Sequence, residues 1–506
     1  MSSHYKSLLV VMVLTGIGLL ISRQIFSPMM LSDDDFRRRR NLWLTITAAA
    51  FLLPNFWAYA LVATLCILYT AKRDSNPAAL FPLLLVALPP LEAAIPGIFG
   101  VHHQRLLILV LLLPMVPRLM RDPQLPGIFK LPTDKIIFTY MALQVVLYWP
   151  YLALVPALRF TLLLLINTWL PYYVMSRAFN SKAELRDAMA CFVLSVIILA
   201  PLAVAEAGLS TLLYGGFAGN WNMPAGLFGY LKRGDVLRAQ LASGQAIVLG
   251  YQFAVALAMW FYLHRYVASG FWKVVCVLAL LVGLVLPFSR GPWVGAAVLF
   301  MAFVLAGPKS LGRAVKWGTM AAAVLGAALL TPWSDKVVKY LPFIGEADQG
   351  TIDYRTQLMQ VSWNLILQNP FFGNPYAKMQ MESLRTGEGI IDIVNVYIAF
   401  ALAYGFVGVA LFVSLFLVVM FRLLKVAKSA STPDDARQMS ASMFAALVGV
   451  MVMISAVSNY LTIPYIYLML IGFGISYLRV HEAEALANQP AMPEPYRFAR
   501  SGLMRR

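Results

Sequence analysis

Acidic residues are scarce in this chain: 23 aspartates and glutamates stand among 506 residues, against 40 lysines and arginines. Charged residues of both signs reach 12%, where soluble domains carry roughly 25%. A soluble fold with one membrane anchor is excluded, because no long stretch has globular composition. Cysteine is rarer still. Cys66, Cys191 and Cys276 all fall inside apolar runs, which leaves no disulfide framework and no support for thiol chemistry. The few histidines form no metal-ligand pattern. Their one pair, His102-His103, is adjacent, and adjacent helical residues point apart, so it reads as an interfacial turn. No tandem repeat is visible.

What remains is apolar. Hydrophobic residues make up 60% of the chain. Runs that span a bilayer, or nearly so, recur near residues 7–22, 42–53, 55–71, 78–96, 101–117, 134–152, 156–176, 188–208, 241–263, 272–288, 292–307, 314–331, 390–421, 440–459 and 461–478. Several are short or hold proline, notably the pair around Pro54 and the run around Pro89-Pro90. The expectation is an all-α polytopic membrane protein of roughly 12–14 transmembrane helices. It divides into an N-terminal helix and basic segment (1–41), a membrane bundle (42–331), an external loop (332–391), C-terminal membrane helices (392–478) and a tail (479–506). The first run reads as a retained helix, since no small-x-small cleavage site precedes Arg23.

The net charge of +17 is an orientation signal. With the loop at 422–437 placed in the cytoplasm, alternation puts the basic segments at 72–73, 118–135, 177–186, 265–273 and 309–316 on the same side. With the tail, that side holds 23 of the 40 lysines and arginines and the outer side 11, the other six preceding residue 42. This follows the positive-inside rule and places the C-terminus in the cytoplasm. The excess attracts anionic headgroups, and nucleic acid is not an expected partner.

Two external loops stand out. The segment 209–240 holds Gly215-Gly216, Gly219-Asn220 and Asn222-Met223-Pro224, all turn chemistry. The longer segment, 332–391, carries many charges of both signs, among them Asp335, Lys336, Lys339, Glu346, Asp348, Arg355 and Glu388. Within it, 356–368 is spaced as an amphipathic helix on the membrane face. Asn369-Pro370 stops it and Gly373-Asn374-Pro375 turns the chain.

Ser289-Arg290-Gly291-Pro292-Trp293 sits between two apolar runs. A charge this near hydrocarbon is costly, so it faces a polar cavity or meets an anion. Arg238 opens another span from the same side. Two guanidiniums there can grip a phosphate-bearing group through paired N–H···O contacts that lysine cannot reproduce. The plainer reading is that an arginine at a helix end snorkels to headgroups. It holds for an arginine taken singly and is weaker for Arg290, framed by Gly-Pro-Trp. Glu92, Glu206, Asp353, Glu388 and Asp392 are candidate bases. Glu206 ends an apolar span, where desolvation raises a carboxyl pKa and suits proton abstraction. Asp392 opens the helix after the long loop, where an acid also favours the N-terminus. Asn395 and Tyr397 follow it, and a tyrosine at this depth is often an interfacial anchor.

These landmarks occur in a particular order. Arg238 follows a Gly/Asn/Pro-rich loop, and then comes Ser289-Arg290-Gly291-Pro292-Trp293-Val294-Gly295. Arg355 follows with Trp363, Asn369-Pro370 and Gly373, and last Asn395-Val396-Tyr397 leads to Tyr404-Gly405-Phe406-Val407-Gly408. The set resembles the O-antigen ligase/Wzy-type polymerase family of bacterial envelope glycosyltransferases. The resemblance covers residues 200–420 by motif and the whole chain by hydropathy. It implies a GT-C-like, multi-pass enzyme of the bacterial inner membrane with a large periplasmic loop, its active site facing the periplasm and no metal or other cofactor. The implied partners are an undecaprenyl-diphosphate-linked glycan, an acceptor glycan, membrane lipids, and chain-length regulator and export proteins. Carried over, Arg238 and Arg290 hold the diphosphate and stabilise its developing charge, and Arg355 positions substrate or braces the loop. Asn395, Tyr397, Trp293, Ser289 and Arg159 are expected around the substrate, with Asp392 or Glu206 handling the proton.

One departure stands out. Family members commonly have histidine immediately before this asparagine, and here the residue is Val394. Asp392, Glu388 and Glu206 are the candidates to take over its role. The absence weakens a ligase reading more than a polymerase one. The leading expectation is therefore a polymerase of lipid-linked repeat units for exopolysaccharide or O-antigen. The alternatives are a ligase of finished glycan and a flippase or transporter of lipid-linked sugars, although transporters often show internal repeats and midplane charges.

Overall fold

The computed structural model describes residues 3–90, 92–95, 99–216, 227–307, 312, 315–316, 318–319, 349–385 and 391–487. Most of the expected span at 314–331 lies outside the described residues. So do Lys336, Lys339, Glu388, the turn residues at 219–224 and the end of the tail.

The described chain is a helical bundle with two small hairpins. Its long helices are α1 (Ser3–Phe26), α2 (Asp33–Leu52), α3 (Phe56–Ala71), α4 (His103–Arg121), α5 (Pro132–Tyr148), α6 (Leu154–Met175), α7 (Lys182–Gly208), α8 (Ala246–Leu263), α9 (Gly270–Val285), α10 (Arg290–Ala306), α11 (Gln349–Gln368), α12 (Val396–Lys428), α13 (Asp434–Met453) and α14 (Ile463–Ala487). Among the described residues eight helices have the length and hydropathy of a membrane span, and α3, α9 and α10 are shorter apolar helices. Most of α7, α8 and α14 is buried, so these helices form the centre of the bundle.

Local chemistry explains the boundaries. Ser32 caps α2 by accepting from the Asp34 amide, and Asp33, Asp34 and Asp35 fill its first turn, where the helix dipole favours acids. The helix therefore begins within the basic segment. Pro54 separates α2 from α3, and Asn55 restarts the chain by accepting from the Ala58 amide at 2.9 Å. The run at 78–96 is a correction to the expected span. Among its described residues only Leu80–Leu84 is α-helical, after a 3-10 turn at Pro77–Ala79, and β1 (Glu92–Ala94) then pairs antiparallel with β2 (Gly100–His102), Glu92 opposite His102. Pro82 and Pro89-Pro90 remove the amides a longer helix needs.

Ion pairs tie one end of the bundle together. Arg39 is buried and bonds both oxygens of Asp74, at 2.8 and 2.7 Å, and those of Asp187, which also accepts from Asn76. Arg177 meets Asp134, Arg265 meets Asp434, Lys182 meets Glu484 and Arg422 meets Glu482. The pairs other than those of Arg39 join segments that charge alternation assigns to one side.

At the other end the long loop is seated on α12. Gly405 interrupts that helix with φ 64°, and its neighbours lose their helical partners. The turn after α11 supplies replacements. Phe406 N donates to Pro370 O at 2.8 Å, Val407 N to Phe371 O at 3.1 Å, and Asn374 N to Leu402 O at 2.7 Å. Below this seam Leu358 and Ile366 of α11 join Met381, Leu384, Ile391, Ile393 and Leu402 in a small core. The expected amphipathic helix is thus α11, beginning earlier than 356 and stopping where Asn369-Pro370 predicts.

Candidate functional site

The hairpin β3 (Lys232–Arg233) and β4 (Val236–Leu237) lies over the turn that opens α10. Its two arginines grip that turn. Arg238 donates from Nε to Pro287 O at 3.0 Å and from Nη2 to Ser289 Oγ at 2.8 Å, and Arg233 donates to Phe288 O at 2.8 Å. Phe288 is held at φ 47°, a left-handed conformation uncommon for a non-glycine residue. Arg238 is therefore brought within one residue of Arg290, the first residue of α10.

Arg238 spends two of its five N–H donors on this turn and keeps three. Burial, then the charges of Arg233 and Arg355, push its pKa down to about 10. It keeps its proton at neutral pH in a place where three guanidiniums repel one another. An anionic group bound among them would relieve both effects. Arg355 itself is exposed on α11.

The remaining residues fall into supporting positions. Ser289 is buried; its hydroxyl accepts from Arg238 and makes no cap to α10. Trp293 donates its indole N–H to Leu284 O at 2.8 Å and so pins α10 against α9. A Cβ on Gly291 would come to 3.3 Å from Ala456 Cβ, so the start of α10 presses on the connection between α13 and α14. Two residues further along that connection, Ser458 donates to Asp392 Oδ1. Two residues span at most roughly 7 Å. The same connection thus touches the start of α10 through Ala456 and Asp392 through Ser458.

Asn395, not Asp392, caps α12: its Oδ1 accepts from Tyr397 N and Ile398 N at 2.9 and 3.1 Å. Asp392 is freed from that task and lines a cavity of about 380 Å³ with Lys378, Ser458, Asn459 and Tyr460. Tyr397 donates its hydroxyl to Met451 O at 2.7 Å and ties α12 to α13. Arg159 stands on α6 just before Phe160, a residue that lines the larger cavity beyond.

Glu206 is given a different task from proton abstraction. It is fully buried, and its carboxylate accepts from the amides of Leu213 (2.8 Å), Gln240 (2.6 Å) and Leu241 (2.9 Å). It anchors both ends of the loop that carries Arg233 and Arg238. Glu206→Ala is expected to cost about 1–3 kcal/mol for each amide left buried without a partner. The check is a lowered melting midpoint in detergent, with Glu206→Gln losing less.

Sequence reasoning named Arg238, Arg290, Arg355 and Asp392, and it missed the roles of Arg233, Ser458 and Tyr460. Gly234-Asp235 between Arg233 and Val236 is a turn signal that could have placed both arginines on one hairpin. Ser458 and Tyr460 left no local signal.

An all-α polytopic membrane protein with clustered guanidiniums at the start of one helix, under a loop seated on another, is the class this geometry defines. Residues 275–413 match the family model described as O-antigen ligase. The matched region contains Arg290, Arg355, Asp392, Asn395 and Tyr397 and leaves Arg159, Glu206 and Arg238 outside it. No curated protein matches the chain.

Proposed function

We propose that this chain is a glycosyltransferase that polymerises undecaprenyl-diphosphate-linked repeat units at the periplasmic face of a bacterial inner membrane, with its C-terminus in the cytoplasm. The observation that carries the reading is the junction of Arg233, Arg238 and Arg290 with Asp392 through the connection holding Ala456 and Ser458. In this scheme an acceptor hydroxyl oxygen attacks the donor's anomeric carbon. The bond from that carbon to the diphosphate oxygen breaks, and the diphosphate leaves with the electron pair. The arginines receive its charge, the kind of preorganised stabilisation that lowers such barriers most. The hydroxyl proton passes to Asp392, which Ser458 orients through Oδ1. Arg355 steadies the glycan from the loop, and chain-length and export proteins act on the product.

Val394 in the family's histidine position favours polymerase over ligase, because the carboxylate replaces the imidazole. A strain lacking the chain tests this, with lipid-linked intermediates sized by mass spectrometry. Single repeat units accumulated outside the membrane, with polymer gone, is the expected result. Full-length polymer stranded on its lipid, or single units trapped inside the cell, overturns it in favour of a ligase or a flippase respectively.

A further inference from the structure

A second cavity of about 500 Å³ opens among α5, α6, α12 and α14, within the roughly 300–1,000 Å³ of small-molecule sites. One wall is aromatic. Tyr140, Phe400, Tyr404, Phe412 and Tyr467 stand with ring centroids 4.8–6.1 Å apart. The lining also holds the side-chain amides of Gln104, Gln144 and Asn167. Gln104 is 1% exposed; its Oε1 meets His102 Nδ1 at 3.2 Å, and its Nε2 has no hydrogen-bond partner. Asn167 is held by Arg105 at 3.2 Å and Tyr465 at 3.1 Å through one oxygen.

A buried amide donor left unpaired inside a membrane protein is costly, and a hydrocarbon tail entering this space could not satisfy it. A hydroxyl-rich group could. Ring faces with C–H bonds pack on aromatic walls while hydroxyls reach side-chain amides. Asn459 and Tyr460 line both this cavity and the smaller one that holds Asp392, so the two meet there. The Tyr460 hydroxyl is pushed up to about 12 by burial and then by Glu92 and Asp392, which puts two carboxylates around the shared mouth.

We propose that the larger cavity is the acceptor site, taking the terminal rings of a glycan against Tyr140, Phe400 and Tyr404 with hydrogen bonds from Gln104 and Gln144. The reacting hydroxyl then lies at the mouth, beside Asp392. The proposal rests on the polymerase reading for its chemistry, while the binding itself can be measured alone. The probe is the repeat-unit oligosaccharide released from its lipid by mild acid, titrated onto the full chain in nanodiscs. Gln104→Leu and Gln144→Leu, each nearly volume-conserving, are expected to weaken its binding at least tenfold and to raise the acceptor KM similarly, with kcat and retention of the lipid-linked donor within twofold. Unchanged binding in both variants overturns the proposal. So does tighter donor retention in either variant, because an apolar lining would then be welcoming the polyprenyl tail. A wild-type chain that binds the oligosaccharide and transfers nothing overturns the polymerase reading and leaves the acceptor site standing.

Discussion

Arg238→Ala is expected to reduce polymer formation by about 10²–10³-fold, the usual loss when one preorganised charge-stabilising donor is removed. The guanidinium does two things at once. Two of its N–H groups hold the Pro287–Ser289 turn, and the rest are available to an anion in the space shared with Arg233 and Arg355. Arg238→Lys separates these roles. Lysine keeps the charge and loses the planar fork, so it cannot span Pro287 O and Ser289 Oγ while also reaching a diphosphate. If the charge alone mattered, lysine would restore most activity; the expectation is that it restores less than a tenth. Ser289→Ala removes only the hydroxyl partner and is expected to cost about 1 kcal/mol of positioning, or roughly fivefold in rate. The measurement is polymer length from a complemented deletion strain, with donor retention by the purified chain in parallel. Full polymer in the Arg238→Ala strain would remove this arginine from the mechanism.

The helices were legible because membrane spans announce themselves by length and hydropathy, and the basic end because charge is asymmetric along the chain. Arg238, Arg290 and Arg355 were legible for a related reason: a cation beside hydrocarbon needs an explanation. The rest depended on contacts across long stretches of sequence. Nothing near Ser458 indicates that Asp392, 66 residues earlier, is its partner. Glu206 looked like a desolvated base, since burial is visible in sequence, while two of the three amides that consume it come from residues over 30 positions away. Gln104 follows two histidines in an apolar run and gives no local sign of an amide donor aimed into a cavity. Prolines in the run at 78–96 were visible, but hairpin pairing between Glu92 and His102 depends on register, which two short strands scarcely encode.

Gly405→Ala is expected to unseat the long loop and abolish activity while leaving the spans inserted. The residue sits at φ 64°, a conformation that costs an L-residue about 1–2 kcal/mol. The steric conflict is larger. A Cβ there would lie 2.2 Å from Phe371 O and 2.4 Å from Phe372 N, and those are backbone atoms of the turn that fills the break in α12. The turn cannot yield by rotating a side chain. It must lift away, and the bonds from Phe406 N to Pro370 O and from Val407 N to Phe371 O go with it. Gly373 faces the same seam at φ 66°, where a Cβ would meet Gly405 N at 2.5 Å. Gly373→Ala should therefore give the same phenotype from the other side. Two glycines approaching each other across one seam mean that neither substitution can be relieved by the other, and the double variant should be no more active than either single. With the turn lifted, α11 loses the floor beneath Leu358 and Ile366, and Arg355 moves away from Arg238. Limited proteolysis reads this directly: both variants should be cut within 349–385 under conditions that leave the wild-type loop intact. Wild-type resistance together with normal polymer in either variant would show that the loop does not need this seat.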